Sequence, residues 1–516
     1  MYADSAFSLV IPIFVITMVI ITKRIVLSLF VGICLSGIMV GFAGSILYGM
    51  QINWNENILH SLFYVYHSIS GVFYSVSENG VDIELSNFYV FGFMFILGIL
   101  TQVISYSGGV SAFVKWTRNR IKTAKGSEFL AFIAGIVIFI DDYFNALTVG
   151  QMSKHLNDAN NSTRERLAYI IDSTAAPICI LMPISSWGAY IIGIIGGLNE
   201  NNAFLLLFAS IWGNYYAWLA LLAVFLTIYW QIDLPAMRRN RNIGVSDFLQ
   251  SKQRAPSSIY LLIIPIISLI FFIGALILIT GYLESKSISI IDMLANTDTS
   301  FSLFWGGFGA LIISYIISYK HFTTDSFFPI IKMGVLSMLP AVLILVLAWS
   351  IGPVIKNDLQ SGIYLSNLSR LWLESNIIAA GIAIPLVSFI ISAFIAFCTG
   401  TSWGTFAIML PIGATLANVN GLELSFVISA ILSGAVYGDH ASPISDTTIL
   451  SATGAGCSVQ SHFITQLPYV STIAGITLIS FLVASIFYSL IAGYIVGIAL
   501  CIGIFWLYKN LYASKI

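Results

Sequence analysis

Residues 438–457 read GDHASPISDTTILSATGAGC. Long apolar runs flank this stretch on both sides, which places it at membrane depth. Yet it carries Asp439, His440 and Asp446, with Ser442, Ser445, Thr447 and Thr448 among them. Pro443 removes a backbone donor and opposes helix continuation, and Gly438, Gly454 and Gly456 weaken a helix further. Broken, carboxylate-bearing backbone at that depth is tolerated only where it packs in protein or faces a wet cavity. An ionisable side chain there costs about 2.5 kcal/mol or more, so its default reading is functional. The competing reading is an extramembrane loop with solvated charges. It loses ground because the first half of the chain holds an equally odd counterpart.

Working outward, the 516 residues are 58% hydrophobic and 9% charged, against about 25% charged in a soluble domain. With mean hydropathy +0.92, the expected class is an all-α polytopic membrane protein of about 10–12 transmembrane helices in the lipid bilayer. The net charge of −1 leaves no field to attract nucleic acid. The five cysteines are scattered, without metal-ligand or CxxC spacing, and read as small apolar residues. No cofactor motif is present. Residues 7–22 lack a basic leader and a cleavage site and read as a retained helix. Residues 59–76, apolar but with two histidines, read as an interfacial helix.

Basic loops mark the cytoplasmic side. The clearest are 115–125 and 238–254, while 56–84 and 284–298 are acidic and fit the outside. If residues 127–150 crossed the membrane, the 238–254 loop would fall on the wrong face. A re-entrant hairpin there, with Asp141 and Asp142 at its tip, puts every basic loop inside. The alternative is that residues 203–230, interrupted at Gly213 and Asn214, make two passes. In the second half, residues 376–416 form a hairpin from the other face, carrying CTGTSWGTF at 398–406. A broken helix follows each hairpin: IDSTAAPICILMPISSWG at 171–188, then the stretch quoted first. Asp172 and Pro177 echo Asp439 and Pro443. This is an inverted repeat, with binding expected where the halves meet. The organisation reads as N-terminal helices 1–107, a first repeat core 108–230, a basic linker 231–258, scaffold helices 259–352, a second core 353–466 and terminal helices 467–516.

Four polar clusters should converge. They are Asp141, Asp142, Asn145 and Thr148; Asp172, Ser173 and Thr174; Thr399, Thr401, Ser402 and Thr405; and Asp439, His440, Ser442, Asp446, Thr447 and Thr448. Carboxylate, hydroxyl and freed carbonyl oxygens suit a hard cation. Burial and like-charged neighbours make a carboxylate easier to protonate, and one so placed can trade a proton for Na+. Asp141 and Asp142 point about 100° apart on a helix, so one faces the site and the other caps or pairs; Asp142 is the favoured one. His440 can sense pH or merely hydrogen-bond. Trp187 and Trp403 read first as packing aromatics. No nucleophile–base pair or metal triad is spaced for an enzyme.

At these residues the chain resembles the NhaC-type Na+/H+ antiporter family, through GDHASPISDTTILSATGAGC, FIDDYFNALTVG, AYIIDSTAAPICILMPISSWGAY and TQLPYV at 465–470. The resemblance implies a bacterial inner-membrane secondary transporter exporting Na+ in exchange for H+. By motif it implies Na+ at Asp142, Asp172, Asp439 and Asp446, with Thr174, Ser442 and Thr447 as oxygen donors. It also implies a scaffold bundle able to form a homodimer. Relatives that exchange malate for lactate, or export amino acids or drugs, keep a second reading open: a cation-coupled transporter of a small organic acid or amino acid. The polar segment 51–87 matches no motif of the family.

Overall fold

The computed structural model describes residues 5–22, 24–43, 53–77, 80–118, 120–198, 202–239, 256–322, 327–360, 364 and 377–513. Lys23 and most of the basic linker, residues 240–255, lie outside the described residues. Among the described residues the fold is helical apart from loops, one antiparallel β-hairpin, β1 (Tyr74–Ser77) against β2 (Gly80–Ile83), and a single bridge between Ile232 and Ala513. Among the described residues, eight helices are long and apolar enough to cross a membrane. Two bent pairs raise the number to ten: Arg164–Leu181 with Ser186–Gly197 at 41°, and Ala203–Gly213 with Tyr215–Trp230 at 47°.

The β-hairpin revises the reading of residues 59–76. The helix there, Trp54–Ser70, stops at Gly71, and the chain turns into a strand. Val76 and Val81 pair across the turn, as β-branched residues favour. Gly80 takes φ 134°, open only to glycine.

The first hairpin consists of Ala124–Val137 and Asp142–Ala159. Its first arm has 14 residues, about 21 Å of helix, which falls short of a hydrocarbon core of about 30 Å. The hairpin is therefore re-entrant. Ala203–Gly213 and Tyr215–Trp230 have 11 and 16 residues, each too short to cross alone. They form one bent span rather than two passes. The bend sits at Asn214, whose Oδ1 caps Ala217 N at 3.2 Å and accepts from Ser433 Oγ at 2.8 Å.

The second hairpin is Ile377–Thr399 with Ser402–Asn420, and its broken helix is Leu424–His440 with Asp446–Ala455. The two repeats superpose in sequence at a constant offset of 260 residues, with helix starts pairing as Asp142/Ser402, Arg164/Leu424 and Ser186/Asp446. The turns after the hairpins are left-handed at matching positions, Asn161 (φ 60°) and Gly421 (φ 65°). The breaks are tied to the tips alike: Ser186 N donates to Ile140 O at 2.9 Å, and Asp446 N to Gly400 O at 3.4 Å. This register pairs Pro183-Ile184-Ser185 with Pro443-Ile444-Ser445, so Pro183 is the counterpart of Pro443. Pro177 instead lies inside the continuous helix Arg164–Leu181. Packing is reciprocal. Asp446–Ala455 lies on Asp142–Ala159, and Ser186–Gly197 lies on Ser402–Asn420. Gly150 and Gly454 let the first of these pairs approach backbone to backbone.

Around this core, Leu85–Tyr106, Tyr260–Ser285, Thr299–Ser318 and Phe327–Pro353 pack on one another as a scaffold. Val459–Phe487 and Leu490–Tyr512 close the chain against Tyr215–Trp230.

Candidate functional site

The hairpin tips and helix breaks meet in side-chain as well as backbone contacts, Ser186 with Asp141 and Ser402 with Asp439. Asp141 is the N-cap of Asp142–Ala159: Oδ1 accepts from Phe144 N at 3.0 Å and Oδ2 from Ser186 Oγ at 2.9 Å. That satisfies orphan amides at a helix start. Asp142 begins the helix, is buried, and neither carboxylate oxygen has a hydrogen-bond partner among the described residues. The Trp187 indole faces it, but Nε1 completes no hydrogen bond either. Asn145 Nδ2 gathers the carbonyls of Gly135 (2.7 Å), Ile138 (2.7 Å) and Thr174 (3.2 Å), closing the hairpin turn. Thr148 is buried on the same helix.

The second tip mirrors this. Thr401 caps Ser402–Asn420 through Trp403 N at 3.3 Å, and Thr405 Oγ1 turns back to Thr401 O at 3.1 Å. Thr399 Oγ1 donates to backbone carbonyls of its own turn. Ser402 binds Asp439 Oδ2 through Oγ at 2.8 Å and through its amide at 3.2 Å. Asp439 Oδ1 accepts from Ser445 Oγ. Ser445 also caps the next helix and lies 2.9 Å from Thr447 Oγ1. Ser442 Oγ donates to Phe397 O at 2.7 Å. The repeat register places Cys179 where Asp439 stands, and Ser402 where Asp142 stands. Each half thus contributes one carboxylate, from opposite sides of an equivalent contact. Asp142 and Asp439 are near enough for their charges to interact.

Asp172 belongs to a neighbouring centre. Its Oδ2 accepts from Gln466 Nε2 at 2.7 Å and Thr448 Oγ1 at 3.4 Å, and faces His462 Nε2 at 3.2 Å. His440 lies 4.0 Å from the same oxygen. Both of its ring nitrogens have hydroxyl partners, Tyr216 at 2.9 Å and Ser173 at 3.3 Å. Thr174 Oγ1 bonds back to Ile170 O at 2.8 Å, within its own helix. His462, Gln466, Tyr216 and Ser445 are the residues of these centres that the cluster assignment missed. Gln466 lies inside the TQLPYV motif, which was the available signal; Ser445 stands between residues already selected.

Asp446 faces a cavity of about 540 Å³ at the tips, also lined by Asp141, Tyr143, Thr399, Thr401 and Trp403. Tyr143 OH donates to Asp446 Oδ2 at 2.9 Å. At the far end of the first hairpin, Arg166 is buried between Glu128 and Asp233, at 2.8 and 2.7 Å.

The model of the family described as "Na+/H+ antiporter family" matches residues 178–486. An uncharacterized protein of Haemophilus influenzae is 36% identical over 96% of this chain and 93% of its own. A malate-2H(+)/Na(+)-lactate antiporter of Bacillus subtilis is 34% identical over 31% of this chain and 32% of its own. Among solved structures, the YdaH transporter of Alcanivorax borkumensis superposes with a TM-score of 0.59 at 13% identity, over 93% of this chain and 98% of its own. MtrF of Neisseria gonorrhoeae gives 0.52 at 12% identity, over 92% and 94%. These two likenesses concern the fold.

Proposed function

Since the chain belongs to the Na+/H+ antiporter family, we propose that it exchanges Na+, or Li+, for H+ across the bacterial inner membrane by alternating access. The observation that carries this reading is Asp142, buried with neither oxygen partnered among the described residues, and within reach of the charge of Asp439 from the other repeat. A buried carboxylate left alone is costly, so it takes up a cation or a proton. Na+ is a hard ion that prefers oxygen ligands, and Ser402, Ser445 and Thr447 supply hydroxyls beside Asp439. The carboxylates alternate between the two cargoes: Na+ neutralises them on one journey, and protons on the other. Asp439 is held by Ser402 on a hairpin tip and by Ser445 at a helix break. A relative movement of those elements therefore changes its surroundings and couples release to the conformational step. Asp446 stands at the cavity and draws cations towards the tips.

The test is dissipation of a preset ΔpH in proteoliposomes on adding Na+, Li+ or K+. Na+ should dissipate it with the parent protein, and D142N and D439N should be inert. A parent protein that ignores Na+ refutes the reading. The Bacillus subtilis relative favours a second reading, in which Na+ and H+ coupling drive a small organic acid. It predicts a Na+ response only when malate, lactate or a similar solute is added.

A further inference from the structure

The cavity at the hairpin tips is far larger than one Na+ needs. At about 540 Å³ it falls within the size range of small-molecule sites, about 300–1,000 Å³. Its charged lining among the described residues is acidic only, Asp141 and Asp446. Asp141 already spends both oxygens on Phe144 N and Ser186 Oγ. Asp446 is exposed to the space and oriented by Tyr143. Most of the remaining wall is apolar, including Met338, Ile344, Ile449 and Leu450, and Trp403 adds an aromatic ring. A carboxylate, a ring and apolar walls together complement a cation that carries an apolar body. The walls offer no guanidinium or ammonium to an anion among the described residues.

A second space of about 540 Å³, formed by Arg24, Val26, Leu27 and Phe30, shares Ile25 and Ile344 with the Asp446 cavity. Val26, Leu27, Phe30 and Ile344 are apolar, whereas Arg24 puts a guanidinium into this neighbouring space and not into the Asp446 cavity, so a cation is expected in the latter.

We propose that the Asp446 cavity, with Tyr143 and Trp403, is a binding site for a lipophilic organic cation. This goes beyond Na+/H+ exchange and does not depend on it.

The probe is radiolabelled tetraphenylphosphonium, whose charge is permanent and which cannot collapse ΔpH by carrying protons. Tetraphenylborate is its control, of nearly the same shape and opposite sign. Equilibrium dialysis against the purified full-length protein should show saturable tetraphenylphosphonium binding and none for tetraphenylborate. D446N should abolish binding and D446E should restore it. I344W, which fills part of the cavity from its wall, should lower the affinity, giving a second variant should D446N fail to fold. Equal binding of both ions, or unchanged phosphonium binding by a folded D446N, overturns the proposal. Na+-driven ΔpH dissipation by the parent protein, read on the same preparation, tests the antiport reading separately.

Discussion

Replacing Arg166 by Met separates a structural anchor from a merely crowded polar spot. Arg166 Nε and Nη2 each donate to Glu128 at 2.8 Å, and Nη1 donates to Asp233 Oδ1 at 2.7 Å and Ile232 O at 2.9 Å. The three side chains are at most 3% exposed. Glu128 starts the first hairpin, Arg166 the first broken helix, and Asp233 follows Tyr215–Trp230, so one guanidinium pins three segments. Met fills much of the volume but leaves two buried carboxylates facing each other. Removing one partner of a buried pair costs about 3–5 kcal/mol. E128Q is gentler. It leaves a neutral Arg166–Asp233 pair and weakens charge-assisted bonds worth about 1.5–3 kcal/mol. Thermal unfolding in detergent, followed by tryptophan fluorescence, should therefore rank parent above E128Q and E128Q above R166M. The triple variant E128Q/R166M/D233N should recover part of the loss, because no charge remains unpaired. R166M melting with the parent, or above E128Q, would refute the argument that one buried cation holds the hairpin in place.

G150A places a Cβ against the Gly454 backbone and should destabilise by about 1–3 kcal/mol through overpacking. G196A, which meets nothing within 4 Å, should melt like the parent in the same scan. S445A removes both a helix cap and a donor to Asp439. It should cost about 0.5–2 kcal/mol for the cap alone and slow Na+-dependent ΔpH dissipation further than T447A does. In a background lacking the native cysteines, A159C should label with an impermeant maleimide from the cytoplasmic side and E423C from the outer side; labelling of both from one side would rule out inverted repeats. Ser162 is a poor choice for that label, being buried against Glu128 at 2.7 Å.

Much of this architecture is legible in the sequence because a membrane punishes irregular backbone so heavily. Pro, Gly and Asp inside apolar runs expose both hairpins and both breaks. The pairing of Asp172 and Pro177 with Asp439 and Pro443 misses the register by several residues, for a definite reason. Residues 171–188 contain two prolines, and the helix absorbs Pro177 while breaking after Leu181. The stretch 59–76 is harder, since short apolar runs do not distinguish helix from strand. Asp141 and Asp142 look alike in sequence and differ only once a helix start is fixed, making one a cap and leaving the other open. The partnership of His462 and Gln466 with Asp172 spans some 290 residues, and no local pattern encodes it.

The constant register lets the two halves be compared residue by residue. At the junction of tip and break, the first half carries Asp142 opposite Cys179, and the second carries Ser402 opposite Asp439. The two copies of the repeat differ in opposite senses there, each carrying an acid where the other has a neutral residue. Neither copy then assembles the pair of acids without its sibling. Co-expressing residues 1–255 and 256–516 as separate polypeptides would ask whether the two halves can assemble that pair without a covalent link.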